Sequence, residues 1–541
     1  MHRFLLTVVA SVLLVDVAVA QAPTDSVDSV APADGKGVSI GSDLADFSAA
    51  SKTLEGLTGL SVPCEDGFAA GFPCHDVNLQ SFMTVVELGP ADVSQVRASD
   101  IWGWTDPDTG SEYALVGRNA GTAFVDVSDP VNPFLVGNLP RTPGARASVW
   151  RDIKVYGDYA FIVSDGAGDH GMQIFDLTKL RDVANPPARF DPDAIYIEFG
   201  SAHNIVINTE SGFAYAVGSS AGGQRICGGG LHMIDIRDPL RPDFAGCFSD
   251  PSTGFRGSGY SHDAQCVTYR GPDVRYSGRE ICFGFNENGV SIADVTDKTN
   301  PVAISVGRYP DFGYIHQGWL TADQRYLLID DEGDERAFAR PTHTKIFDVA
   351  DLEVPVMISS FENTTHSIDH NLYIDGLLAF EANYTSGLRI LDVRDPLNIE
   401  EIGYFDTTPT DSSVGFSGTW SVYPFFESGT IIVSSIHEGL FVLEAEVLKM
   451  IIPEETGVSE VWPNPFNGRT NISVSLVEPE EVSVVVYDAL GRTVTTLHEG
   501  PLAGSRIHEF VWDSGTHASG AYIIRIIGQS FETIRSVTLL K

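Results

Sequence analysis

The sequence predicts an all-β chain: a seven-bladed β-propeller over residues 81–450, then a small immunoglobulin-like β-sandwich over 458–541. Three observations carry this expectation. One phrase recurs, a hydrophobic strand that ends in aspartate and runs into a turn: Phe124-Val125-Asp126, Ile174-Phe175-Asp176, Met233-Ile234-Asp235, Ile292-Ala293-Asp294, Ile346-Phe347-Asp348 and Ile390-Leu391-Asp392. These aspartates lie 44 to 59 residues apart, which suits one four-stranded blade per repeat. Each repeat also holds a strand of Tyr-Ala-Leu-Val type bounded by turn residues. After Pro453 the pattern changes to short alternating strands at 472–476, 482–487, 507–512, 522–527 and 533–540, as in a small sandwich.

Taken in order, residues 1–20 read as a signal peptide: Arg3, an apolar run from Phe4 to Val15, and the small-residue site Ala18-Val19-Ala20. Residues 21–80 form a flexible leader with a short helix around Asp43 to Leu57 and a Cys64/Cys74 loop. A strand follows at Ser81 to Gly89. Blade one begins near Asp100, and the inner strands of blades two to seven begin near Asp152, His203, Asp263, His316, His370 and Thr419. Blade seven shows three strands, so its fourth is assigned to Met83–Leu88, a closure that joins both ends of the ring and hides a sheet edge. The repeated aspartate is assigned to the turn, where its carboxylate accepts backbone N–H groups. Residues 451–457 are the linker.

Length and charge narrow the function. A single core does not extend over 541 residues, whereas blades bury their faces against each other. Lys+Arg 34 against Asp+Glu 73 gives −39, a surface that repels nucleic acid and anionic lipid. No transmembrane segment is expected in the mature chain, and a monomer is expected. Six cysteines in an exported chain read as three disulfides. Their positions beside predicted turns give Cys266–Cys282 and Cys227–Cys247, which leaves Cys64–Cys74.

Four inner strands open with histidine: His203, His262, His316 and His370. Imidazoles at equivalent places could converge on zinc, copper, nickel or iron. The competing role is hydrogen bonding between blades. Adjacent strand residues face opposite sides, so one position of each His–polar pair is expected to face the channel. Two acidic loops, with Asp330, Asp331 and Asp334 and with Asp165 and Asp169, offer oxygens to calcium. A divalent metal, calcium or a transition metal, is therefore the cofactor class to test. Gly218-Ser219-Ser220-Ala221-Gly222 spells a nucleophile-elbow pattern without the helix that elbow needs. Trp102, Trp104, Trp319 and Trp420 could stack a sugar or peptide.

The tail resembles the sorting domain of type IX secretion, through Trp462-Pro463-Asn464-Pro465-Phe466, Val486-Tyr487-Asp488-Ala489-Leu490-Gly491-Arg492, Ser519-Gly520-Ala521-Tyr522 and the closing Arg535 to Lys541. That resemblance implies the type IX machinery as partner and a cell-surface or secreted destination. The repeats are similar to LVIVD-repeat propellers. The stretch from Asp100 to Asp392 resembles the choice-of-anchor B family, through Asp100-Ile101-Trp102-Gly103-Trp104, Ser201-Ala202-His203-Asn204, Cys227-Gly228-Gly229-Gly230-Leu231-His232, Ser261-His262-Asp263-Ala264-Gln265-Cys266, His316-Gln317-Gly318-Trp319-Leu320 and Asp369-His370-Asn371-Leu372-Tyr373. That family brings no established reaction. The expectation is a non-catalytic module binding a protein, glycan or small ligand. The alternatives are a metal-dependent hydrolase or lactonase-like enzyme using the channel histidines, and a structural envelope protein.

Overall fold

The computed structural model describes residues 55–446, 448, 456–459, 461–477, 479–502, 504, 506–515 and 517–541. The expected signal peptide, most of the leader and its short helix, and most of the linker lie outside these residues. The chain is nearly all β, built of many small sheets. Among the described residues, seven sheets of four to six strands occupy 68–445. Their first strands are Ala98–Thr105, Arg151–Tyr156, Asn204–Asn208, Asp263–Thr268, Ile315–Leu320, Asn371–Asp375 and Thr419–Tyr423. Each of these strands touches the next, and the seventh touches the first.

The cores follow the same cycle. Trp104, Leu115 and Phe124 of the first sheet pack on Ile153, Ile162 and Phe175 of the second. Like cores join the second to the third, the third to the fourth, and so on to the seventh, which packs on the first through Ile432, Val442, Ala114 and Val125. Among the described residues no sheet closes on itself; apolar faces meet between sheets, the arrangement of a propeller-like fold.

The recurring aspartate turns each sheet. The carboxylates of Asp126, Asp176, Asp235, Asp294, Asp348 and Asp392 accept the backbone N–H two residues on, at 2.8–3.1 Å. Each bond satisfies a donor that the end of the strand would otherwise leave unpaired.

The seventh sheet takes its outer strand from the N-terminal side of the chain, as expected, but from Val77–Thr84 rather than Met83–Leu88. Asn78 and Gln80 lie inside this strand because their amides bond Glu446 and Glu444 at 2.5 and 2.8 Å. Just beyond it Glu87 accepts the N–H and hydroxyl of Thr84, both at 2.7 Å, which makes 84–88 a turn despite its apolar residues. The leader ends earlier than residue 80: Phe68–Ala69 and Phe72–His75 form a hairpin that pairs with Glu400–Phe405 on the sixth sheet. All three disulfides pair as expected, Cys64–Cys74, Cys227–Cys247 and Cys266–Cys282.

Among the described residues, 457–539 hold two sheets, of three and four strands, sharing one core that includes Val474, Trp512, Val484 and Ile524. Thr493–Leu502 is an edge strand that sequence reading missed. Gly500 and Pro501 suggest a loop, yet an edge position tolerates the N–H that proline lacks.

Candidate functional site at the channel mouth

The four inner-strand histidines form a continuous arc. Ring centroids are 4.1 Å apart for His203 and His262, 4.2 Å for His262 and His316, and 4.4 Å for His316 and His370. Consecutive sheets supply them, so they need not span the full ring.

Strand alternation, expected to turn only one member of each His–polar pair inward, is broken at these positions. His203, His262 and His370 stand one residue before their strands, and His316 occupies a bulge between Ile315 and Gln317. The polar residues that follow join neighbouring sheets. Gln317 bonds both backbone groups of Leu372 at 2.9 Å. Asp100 and Asp152 accept from Ile153 and Ile205 at 3.1 and 2.5 Å. Lys154 bridges these two aspartates at 3.2 and 2.6 Å.

Two of the histidines hydrogen-bond to a neighbouring sheet. His262 Nδ1 donates to the carbonyl of His316 at 3.3 Å and His370 Nδ1 to that of Trp420 at 2.6 Å. A carbonyl only accepts, so Nδ1 carries the proton and Nε2 keeps a free lone pair. Glu332 lies 3.9 Å from His316 Nε2 and 3.8 Å from His370 Nε2. Among the described residues, His262, His316 and Glu332 bring ligand atoms within 4.8 Å of one another.

Charge favours neutral rings at three of the four positions. Burial, reinforced by neighbouring imidazoles, holds His262 and His316 well below the ordinary histidine value, and burial lowers His370 to about 3. Burial also raises Glu332 to about 7, against the hydroxyl of Tyr384 that donates to it at 2.7 Å. His203 differs. Burial opposes its charge, but Asp165, 3.0 Å from Nδ1, outweighs that and raises its pKa.

The acidic loops are rearranged relative to expectation. Asp165 accepts from His203 and Ser201. Asp331 is occupied by Tyr309, Gly313, Tyr314 and Gly333 as donors. Asp334 pairs with Lys345 at 2.6 Å, and Asp330 is fully buried. Glu332 and Tyr384 were the residues that sequence reasoning missed. Nothing in Asp330-Asp331-Glu332 marks which carboxylate turns toward the histidines.

Three residues further along the same strands, aromatic rings meet across the axis. Tyr373 lies 5.7 Å from Trp102, 5.1 Å from Trp319 and 6.1 Å from Phe425 by ring centroids. The tryptophans therefore pack mainly on one another's neighbours, with Lys154 4.5 Å over Trp102.

Residues 460–539 match the family described as secretion system C-terminal sorting domain, and residues 111–140 and 150–176 match the LVIVD repeat. No curated protein matches the chain. Among solved structures, a functionally unknown protein from Desulfotomaculum acetoxidans is 12% identical with a TM-score of 0.41, covering 62% of this chain and 94% of its own. A protein from Lactobacillus plantarum is 10% identical with a TM-score of 0.41, covering 77% and 99%. Likeness at this level transfers no function. The sorting domain marks export to the cell surface or the medium, and among the described residues no helix is long and apolar enough to cross a membrane.

Proposed function

We infer, from a chain that carries LVIVD repeats and a C-terminal sorting domain, an exported seven-bladed propeller whose channel mouth holds a divalent transition metal. The ring spans about 68–445, and the finer family assignment that fits is choice-of-anchor B. The observation that carries the metal is the convergence of His262, His316 and Glu332 within 4.8 Å. His262, a neutral imidazole whose Nδ1 proton is held by the His316 carbonyl, is a prepared ligand, and that carbonyl acts as the outer shell that orients it. A carboxylate beside the imidazoles completes a donor set suited to zinc, nickel, copper or iron. The main reading remains a binding module whose ligand meets the metal.

A second reading, a metal-dependent hydrolase, is favoured by one further observation. The Asp165–His203 pair stands beside His262, and a histidine oriented by a carboxylate is suited to moving protons. The metal's contribution would be to polarise a carbonyl or water.

Protein purified without a histidine tag tests the reading. Elemental analysis should find about one transition metal per chain, lost on His262→Ala and on His316→Ala while the fold is kept. A metal-free protein that takes up no cobalt or zinc on titration would refute it. Turnover of ester or lactone substrates, abolished by His203→Ala with metal retained, would choose the second reading.

A further inference from the structure

Charge at the junction of the first and second sheets runs against the rest of the molecule. The chain carries −39, and its exposed arginines mostly face carboxylates, as Arg237 faces Asp235 and Arg394 faces Asp392. Arg118 and Arg151 do not. Each is 1% exposed, and among the described residues neither forms an ion pair.

Their bonds are to neutral acceptors. Arg151 Nε donates to the carbonyl of Arg118 at 3.1 Å, and its Nη1 donates to His170 Nε2 at 3.0 Å. His170 can accept because its Nδ1 proton is held by the Gly171 carbonyl at 2.9 Å. Burial and the charge of Arg151 lower its pKa to about 3, so the ring stays neutral. Arg118 Nη1 donates to the Gly89 carbonyl at 2.9 Å. Two donors remain without a partner, Arg118 Nε and Arg151 Nη2, both buried.

Two adjacent buried guanidiniums with no counter-charge are costly to fold, and unpaired donors add to the cost. Burial brings Arg118 to about 10 and Arg151 to about 9, so both keep their charge at neutral pH. Arg118 also lines a surface cavity of about 550 Å³, together with Asn138, Arg141 and Arg189. Arg141 lies on the cavity wall in a two-point ion pair with Asp92, which also lines the cavity. A cavity of this size admits a small solute, and a guanidinium fork matches an oxyanion in two bonds.

We propose that this cavity is an anion site in which Arg118, backed by Arg151 and flanked by Arg141, binds the carboxylate, sulfate or phosphate group of a small solute. The cavity's lining shares no residue with the histidine arc.

The test uses the full chain with sodium sulfate, phosphate and acetate as probes, titrated calorimetrically at constant ionic strength. One of the three should bind saturably at one site per chain. Arg118→Met should weaken it at least ~10-fold, the worth of a hydrogen bond to a charged group. Arg141→Gln, on the cavity wall, gives a second variant should Arg118→Met fail to fold, and it should weaken binding as well. In crystals soaked with selenate, the anomalous peak should lie in this cavity beside the Arg118 guanidinium. Absence of saturable binding, affinity unchanged in the folded variants, or selenate bound only elsewhere would each overturn the proposal. Metal content should be the same in wild type and both variants, which separates this outcome from that of the metal site.

Discussion

His203 and His370 stand at the two ends of one arc and hold opposite charge tendencies. Asp165 favours the charged form of His203, while burial disfavours that of His370. Asp165→Asn should therefore lower the His203 pKa, read by NMR titration of ring nitrogens. Glu335 is a second informative residue. It is 1% exposed, both its carboxylate oxygens lack partners, and burial with Asp369 and Asp334 nearby pushes it up to about 12. The folded protein keeps a proton that the unfolded chain releases near 4.5, so stability falls as pH rises above that value. The slope from this one group is on the order of 1 kcal/mol per pH unit. Glu335→Gln should flatten the decline in Tm between pH 6 and 9. A parallel shift of the whole curve would show that Glu335 ionises in the fold. The histidines were legible as residues because they recur at one place in the repeat. Their carboxylate partners were not, since Asp165 and Glu332 sit in loops whose sequence reads equally well as solvated.

At the scale of elements, the strands were legible where turn chemistry repeats. The six aspartates mark strand ends in sequence and bond the turn N–H in space, so one signal served both. The alternation rule failed where it mattered, because the bulge at His316 cannot be read from a sequence that looks regular through it. The closing strand was misplaced for a related reason. Asn78 and Gln80 look like loop residues until Glu444 and Glu446 are set opposite them. Links between sheets are side-chain bonds as well as apolar packing, and Gln317 is the clearest. Gln317→Leu would leave both backbone groups of Leu372 without this partner in a buried place, at a cost of about 1–3 kcal/mol. Chemical denaturation should show a lower midpoint with unchanged slope. The Cys266–Cys282 disulfide joins paired residues of two adjacent strands. Replacing both cysteines by alanine should lower stability by roughly 2–4 kcal/mol under oxidising conditions. The same double variant under reducing conditions should match the wild type.

For the whole molecule, the cores decide which parts are separable. Every sheet of the ring shares its apolar faces with two neighbours, so loss of any one exposes two cores. The tail has its own core, drawn from its own two sheets. A chain ending at residue 456 should therefore keep the melting transition of the ring. A chain beginning at residue 85 should not, because it lacks the outer strand of the seventh sheet and the hairpin on the sixth. Circular dichroism melts of the two truncations check both outcomes, and aggregation of the second is expected from its bare edge. The overall class was legible because repetition multiplies a weak signal; the tail was legible from its motifs.

The placement of Val77–Thr84 fixes an order of events. This strand is synthesised early, yet its hydrogen-bond partner, Gly439–Ala445, emerges some hundreds of residues later. Until then both stay unpaired, and the ends must find each other across the longest loop in the ring. Refolding should be slow, governed by this late meeting of distant segments. A protein bound for export gains from such a delay, since a chain that has not yet locked its seam stays pliable until synthesis is nearly finished.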